Sequence, residues 1–289
     1  MFPLGKILLP LDFSERCVGA TRYAEALALH FGSEIVIVHV LEPLRFDFAT
    51  IEGGTPPGEL LNNLQVQAQA QLDSFSCRGM ECVRTRKVLL EGDPALKIVE
   101  YAREQKIDLI AMPTHGYGPF RRFILGSVTA KVLHDADCPV LTGVHMEEAP
   151  PLESISLRTV VCAVDLGPES KKALCWAANM AHEFGARLVL VHAVPAIESR
   201  PGEYFDRELV SDISKSARQE LAKLNEEMKA GAEIHVAGGD APKVVSSAAE
   251  RLNADLLVIA RGSAGGVPGR LRTNAYAIIR GSPCAVVSV

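Results

Sequence analysis

The chain says the same thing twice. "LLPLDFSERCVGATRYAEALALHFGSEIVIVHVLEP" is matched by "VCAVDLGPESKKALCWAANMAHEFGARLVLVHAVP", with Asp12 on Asp165, Ala20 on Ala173, Phe31-Gly32 on Phe184-Gly185 and His39 on His192. Further on, "EGDPALKIVEYAREQKIDLIAMP" is matched by "GGDAPKVVSSAAERLNADLLVIA", and "VLHDADCPVL" by "IIRGSPCAVV". The blocks keep their order, so the chain is a tandem duplication, and each copy is of domain size. The join falls in "HMEEAPPLESISL", Met146 to Leu157, acidic and proline-containing like a linker. Two domains are therefore expected, over 1–146 and 157–289.

Within a copy, short apolar runs alternate with stretches of helical spacing. Residues 7–11 read as a buried strand, and 14–31 as a helix with Cys17, Ala20, Ala24, Leu27 and Phe31 on its apolar face, stopped by Gly32. A β-branched strand follows over 35–40, then a helix striped by Leu61, Leu64, Ala68, Leu72 and Phe75, and a strand over 83–90. Asp93-Pro94 opens a third helix as N-cap and first-turn proline. A strand over 109–112, a helix over 127–134 and a strand over 139–144 complete the copy. The second copy repeats this, its second helix striped by Leu209, Ile213, Ala217, Leu221, Leu224 and Met228. Strand–helix alternation with near-continuous apolar strands predicts an α/β fold: two tandem, open, five-stranded parallel sheets, each covered on both faces. Ligands of such sheets bind beyond the carboxyl ends of the strands. That places Asp12, the turn after Val40 and the loop after Met112 around one crevice.

Composition narrows the partners. A net charge of -5 over 289 residues gives no basic face for nucleic acid. No apolar run approaches a membrane span, and the N-terminus meets Pro3 and Asp12 too early for a signal peptide. The seven cysteines are scattered, odd in number and mostly in apolar segments, as in a reduced, cytoplasmic protein. Cys77, Cys82 and His134 lack metal-ligand spacing, and no metal site is expected.

The loop "MPTHGYGPFRRFILGSVTAKVL", Met112 to Leu133, is the chemically suggestive stretch. It carries no GxGxxG, Walker P-loop or GxSxG motif, so the common catalytic signatures are missing. It does carry Gly116 and Gly118, Arg121 and Arg122, and Gly126-Ser127 at a helix start, where free N–H groups and the helix dipole favour an anion. The plainer reading is a glycine loop, Ser127 as a helix N-cap and two solvated arginines.

These residues resemble the universal stress protein family, whose nucleotide-binding members carry G-x2-G-x9-G-[ST] between the fourth strand and last helix. Gly116, nine residues, and Gly126-Ser127 match its last three elements, while Pro113 stands where the first glycine would be. Asp12, "VHV", "GDPA" and "CPVL" fit the surroundings, and the resemblance covers nearly the whole chain twice. It implies a Rossmann-like, adenine nucleotide alpha hydrolase-like fold and ATP or another adenine nucleotide, with or without Mg2+, as ligand. Residue by residue, Asp12 would contact the adenosine part and Val40 line the adenine pocket. Met112 and Pro113 would form the floor. Gly116, Gly126 and Ser127 would hold the phosphates by backbone N–H and hydroxyl. Proline lacks an N–H, so any donation at Pro113 is lost. The resemblance also implies that the last strands, 140–144 and 285–289, pair across a pseudo-two-fold axis as an intramolecular pseudo-dimer, with room for a further homodimer.

In the second copy Gly262, Gly265, Gly266 and Gly269 remain, but Gly-Ser becomes Arg272-Thr273, or Thr273-Asn274 with another gap. That copy reads either as a degenerate unit kept for assembly or as a site for a different ligand, with Arg270 and Arg272 facing an anion. His39 and His192 are expected to hydrogen-bond within the fold rather than act as bases. His115 is the better ligand candidate, and Tyr117 and Phe120 either shield a nucleotide or pack. Asp93 and Asp240 are expected helix caps. No catalytic residue is assigned, and any ATP hydrolysis would be slow. Three functions stand: a nucleotide-dependent regulatory protein acting on an unknown protein partner, an interaction scaffold with vestigial pockets, or, least favoured, an ATP-hydrolysing or phosphotransferring enzyme.

Overall fold

The computed structural model describes residues 4–14, 17–43, 57–76, 80–114, 125–143, 155–195, 205–261 and 273–289. The first copy runs β1 (Lys6–Pro10), α1 (Cys17–Phe31), β2 (Glu34–Leu41), α2 (Pro57–Ser74), β3 (Thr85–Glu91), α3 (Pro94–Glu104), β4 (Leu109–Ala111), α4 (Ser127–Asp135) and β5 (Val140–Thr142). The second runs β6 (Thr159–Ala163), α5 (Ser170–Phe184), β7 (Arg187–Val194), α6 (Phe205–Glu227), β8 (Glu233–Gly238), α7 (Ala241–Arg251), β9 (Leu256–Ile259), α8 (Thr273–Gly281) and β10 (Ala285–Ser288). Most of the linker expected at 146–157 lies outside the described residues; at its end Leu157 is buried.

The two five-stranded sheets are one. The order is β3-β2-β1-β4-β5-β10-β9-β6-β7-β8, a palindrome about the β5–β10 seam. Every other pairing is parallel, but β5 and β10 are antiparallel, with Val140 opposite Ser288, Leu141 opposite Val287 and Thr142 opposite Val286. Antiparallel pairing is what a two-fold between two parallel sheets requires, so the pseudo-dimer expected from the family resemblance is present within one chain.

Strand alternation makes two cores. Ile7, Leu9, Ile35 and Ile37 face α1 and α2, while Leu8, Val36 and Val38 face α3 and α4. Each core runs on through the seam, since Leu141 and Val287 share the first and Val140 and Val286 the second. At the α1–α5 contact Phe31 and Phe184, equivalent residues of the two copies, meet edge-on with centroids 5.8 Å apart.

Helix ends follow their capping residues. Asp93 accepts from Leu96 N–H at 3.0 Å, and Asp240 from Lys243 N–H at 3.3 Å. Gly32 and Gly185 end α1 and α5 at φ of +69° and +61°, where a β-carbon would be strained. α1 is described from Cys17, and before it Asp12 accepts from Ser14 N–H in a tight side-chain turn. The cysteines are less uniformly buried than expected: Cys82 and Cys175 are exposed.

The hydrogen bond from Leu96 N–H holds the Asp93 carboxyl below its ordinary value of 3.8. A lowered native pKa stabilises above the unfolded value and fades as pH falls through the native one. Asp93→Ala is therefore expected to cost about 1 kcal/mol at pH 7. The difference from the parent protein in urea titrations should shrink below pH 3.8.

Candidate functional site

The carboxyl ends of β1, β2 and β4 and the N-termini of α1, α3 and α4 enclose a cavity of about 360 Å³. That lies within the range for small-molecule sites, roughly 300–1,000 Å³. Of the seven residues the sequence singles out, Asp12, Val40, Met112, Pro113, Gly126 and Ser127 all line it. Gly116 lies outside the described residues, as do His115, Tyr117, Gly118, Phe120, Arg121 and Arg122.

Asp12 follows β1 directly. Its Oδ1 accepts from Ser14 N–H at 2.9 Å, Ser14 Oγ at 2.6 Å and Cys17 Sγ at 3.0 Å. Oδ2 has no partner among the described residues. Phe13 makes the turn with φ of +60°, a conformation uncommon for a bulky residue, and its counterpart Leu166 does the same at +59°. Burial first, and then the Asp12 charge, push the Cys17 thiol up to about 12, so it remains a neutral donor.

The strand histidine has a definite job. Leu11 N–H donates to Val38 O at 2.8 Å, one residue beyond the last β1–β2 register pair, Pro10 with Val38. The next ladder bond would run from Val40 N–H to Leu11 O. His39 Nδ1 takes that carbonyl instead, at 2.8 Å, which fixes the proton on Nδ1. Val40 points its backbone the same way as Val38, two residues earlier. Its N–H and C=O therefore face the crevice without a partner among the described residues. His192 repeats the bond to Val164 O at 2.8 Å, leaving Ala193 in the same position. The expected fold-internal role of both histidines is observed.

Across the cavity lies the start of α4. Gly126 is its N-cap, with no side-chain cap, so Ser127 is the first helical residue and not the cap that the plainer reading expects. The Gly126 N–H, read from sequence as a phosphate donor, is donated to Thr114 O at 2.8 Å. Among the described residues, the N–H of Ser127, Val128 and Thr129 and the Ser127 hydroxyl have no partner, because the first helical bond comes from Ala130. Pro113, which has no N–H to give, accepts from Thr129 Oγ1 at 3.0 Å and so anchors α4 to the end of β4. Val128 and Thr129, with Cys17, Glu42, Pro94 and Ile98, are lining residues that sequence reasoning did not mark. The helical register after Ser127 and the turn after Asp93 carried that signal.

The second copy holds a smaller cavity, about 250 Å³, lined by Asp165, His192, Ala193, Ile259 and Asn274 among others. Asp165 Oδ1 accepts from Gly167 N–H at 2.9 Å and from Ser170 Oγ at 3.1 Å, so Ser170 stands where the first copy has Cys17. α8 begins at Thr273 as α4 begins at Ser127, which aligns Arg272-Thr273 with Gly126-Ser127. Gly262, Gly265, Gly266, Gly269, Arg270 and Arg272 lie outside the described residues. Among the described residues no cluster of three or more His, Cys, Asp or Glu could hold a metal. No helix there is long and apolar enough to cross a membrane.

The model of the universal stress protein family matches residues 3–142 and again 156–289. The chain belongs to that family. A universal stress protein of Methanocaldococcus jannaschii is 35% identical over 138 residues, covering 47% of this chain and 79% of the relative. One from Thermus aquaticus is 34% identical over 137 residues, covering 47% and 95%. These relatives match one half of this chain each. The crystal structure of a universal stress protein from Archaeoglobus fulgidus matches the two-copy fold, at TM-score 0.70 and 22% identity over 99% of this chain and 98% of that one.

The thiol environments predict a labelling order. At pH 8 iodoacetamide should modify exposed Cys82 and Cys175. It should leave Cys17 and Cys162, both pushed up to about 12 by burial, unmodified in native protein, as read by peptide mass spectrometry. Rapid labelling of Cys17 would contradict its bond to Asp12.

Proposed function

We propose that this stress-response family member binds ATP or another adenine nucleotide in the cavity of its first unit, residues 1–146, and acts as a nucleotide-dependent regulatory protein. The observation that carries the reading is the polarity of one cavity. At one end, the N–H and C=O of Val40, without a partner among the described residues, match the adjacent acceptor and donor on the adenine edge. At the other, the uncapped first turn of α4 offers three N–H groups and the Ser127 hydroxyl to an anion. Between them, Asp12 Oδ2 suits ribose hydroxyls and would repel phosphate, which sets the ligand's direction. Met112, Pro113, Val38 and Ile98 supply the apolar walls a base needs. The residues fit the nucleotide; Mg2+, where it takes part, would be held chiefly by the phosphates.

This is a binding site before it is a catalytic one. His39 Nδ1 is committed to Leu11 O, and no lysine is among the residues that line the cavity. Any hydrolysis is proposed to be slow, and the output is a change in the surface presented to a protein partner. The second unit, residues 157–289, is proposed to take no ATP. Its cavity is smaller, and Arg272 replaces the glycine at the helix entrance. The interaction-scaffold reading predicts no bound nucleotide in either unit.

The first test is release of bound nucleotide from gently purified protein, identified by mass spectrometry, with about one adenine nucleotide per chain expected. Absence of nucleotide, followed by no heat on titration with ATP and magnesium, would overturn the reading. The sharper variant is Ser127→Pro. Proline suits the first helical position, and Gly126 at φ of -63° and ψ of 148° tolerates it. It removes one N–H and the hydroxyl. ATP affinity should fall about tenfold or more, while adenosine affinity and Tm hold. Asp12→Ala should instead weaken ATP and adenosine alike.

A further inference from the structure

Symmetry fails at the turns that follow α4 and α8, and the failure is compensated. In the second copy the turn after α8 is closed locally: Ser282 Oγ donates to Cys284 O at 2.8 Å. The equivalent turn after α4 has Ala136 where Ser282 stands, so it has no hydroxyl to give. Its carbonyls are taken from across the seam. Arg261 Nη1 donates to Ala136 O at 2.7 Å and Arg261 Nη2 to Cys138 O at 2.6 Å. The residue equivalent to Arg261 in the first copy is Thr114, which carries no guanidinium. Ser282 with Thr114 and Ala136 with Arg261 thus form an exchange: one copy closes its own turn, and the other has its turn closed by its neighbour.

The arginine is well placed for this. It follows β9 by two residues, and its own N–H donates to Val289 O at 2.9 Å, tying it to the end of β10. It forms no ion pair with a carboxylate among the described residues, so its charge is directed at carbonyls. Ala136 is the C-cap of α4, where the helix dipole favours a cation. A second contact acts on the same helix: Tyr276 in α8 donates to Ala130 O at 3.4 Å, a long bond that adds to the first rather than replacing it. The other end of α4 is the turn whose open N–H groups face the first cavity. α4 is only nine residues long, so an end held by the second copy and an end facing the ligand belong to one short rigid body.

We propose that Arg261 is a positioning residue for the first cavity: through α4, the second copy sets the geometry of the ligand site in the first. This rests on the nucleotide reading for its functional consequence, but the contact itself can be tested without a ligand. It also gives the second copy a task independent of its own cavity.

The experiment uses the full-length chain in four forms: parent, Arg261→Ala, Ala136→Ser, and the double variant, in which the introduced hydroxyl would restore the local bond that Ser282 makes. Hydrogen exchange of the unliganded proteins is read in α4, and ATP affinity by calorimetry. Arg261→Ala is expected to lower protection at the C-terminal turn of α4 and weaken ATP about tenfold, within the usual range of coupling between sites. The double variant should recover both to within about threefold of the parent. Unchanged α4 exchange in Arg261→Ala would overturn the proposal. So would protection lost evenly over the whole sheet and not returned by Ala136→Ser, since the arginine would then support the fold at large. Measurable ATP binding that is equally tight in parent and Arg261→Ala would also overturn it. A parent protein that binds no ATP would sink the nucleotide reading alone, with the α4 exchange still deciding whether the second copy holds the helix.

Discussion

An open parallel sheet ends in a strand with one row of N–H and C=O groups unpaired. Two copies of that sheet in one chain cancel the exposed row at one edge of each by pairing last strand to last strand, and a two-fold makes that pairing antiparallel. The seam between β5 and β10 is therefore the interaction on which the rest depends. It converts two sheets into one of ten strands and makes both apolar cores continuous. It also brings α4 and α8, the helices that open onto the two cavities, against each other. Without it the strands at 140–142 and 285–288, buried on both faces, would present apolar edges to solvent.

The cavities sit where the sheet stops. β1 ends one bond earlier than its neighbour, and His39 closes the leftover carbonyl. A ladder that simply frayed would leave Leu11 O and Val40 N–H to find each other or water. The imidazole separates them and keeps the Val40 backbone pair open toward the cavity. Asp12 works by the same logic. Three donors gather on one oxygen, and the other has no partner among the described residues. The positive φ at Phe13 and Leu166 is the local strain that this arrangement carries in both copies.

Duplication freed the copies to diverge. Cys17 and Ser170 donate to equivalent aspartates, so that bond survives a change of chemistry. The helix entrance changes from Gly126 to Arg272, and the turns after α4 and α8 are closed by different means. The first copy keeps the open entrance and relies on its neighbour at the far end of the same helix.

The repeat, the strand–helix order and the helix caps were legible in the sequence because they are local. Hydrophobic period, Asp93-Pro94 and Phe31-Gly32 act within a few residues of themselves, and the structure follows them to within a few residues at most boundaries. Six of the seven candidate residues line the cavity, since the rule that ligands lie beyond strand ends needs only the strand ends. The pairing of the last strands came from the family resemblance, with the edge-strand argument behind it. What the sequence could not decide is who takes whose hydrogen bond. Gly126 reads as a donor to a ligand, yet its N–H goes to Thr114 O. His39 reads as a strand histidine, yet its value lies in the carbonyl it withholds from Val40. Arg261 looks like one more loop arginine until the seam brings it to Ala136 and Cys138, more than a hundred residues away. Periodicity fixes which face a residue turns to, but a buried carbonyl is satisfied by whatever donor folding brings within about 3 Å. Only the tertiary structure decides that.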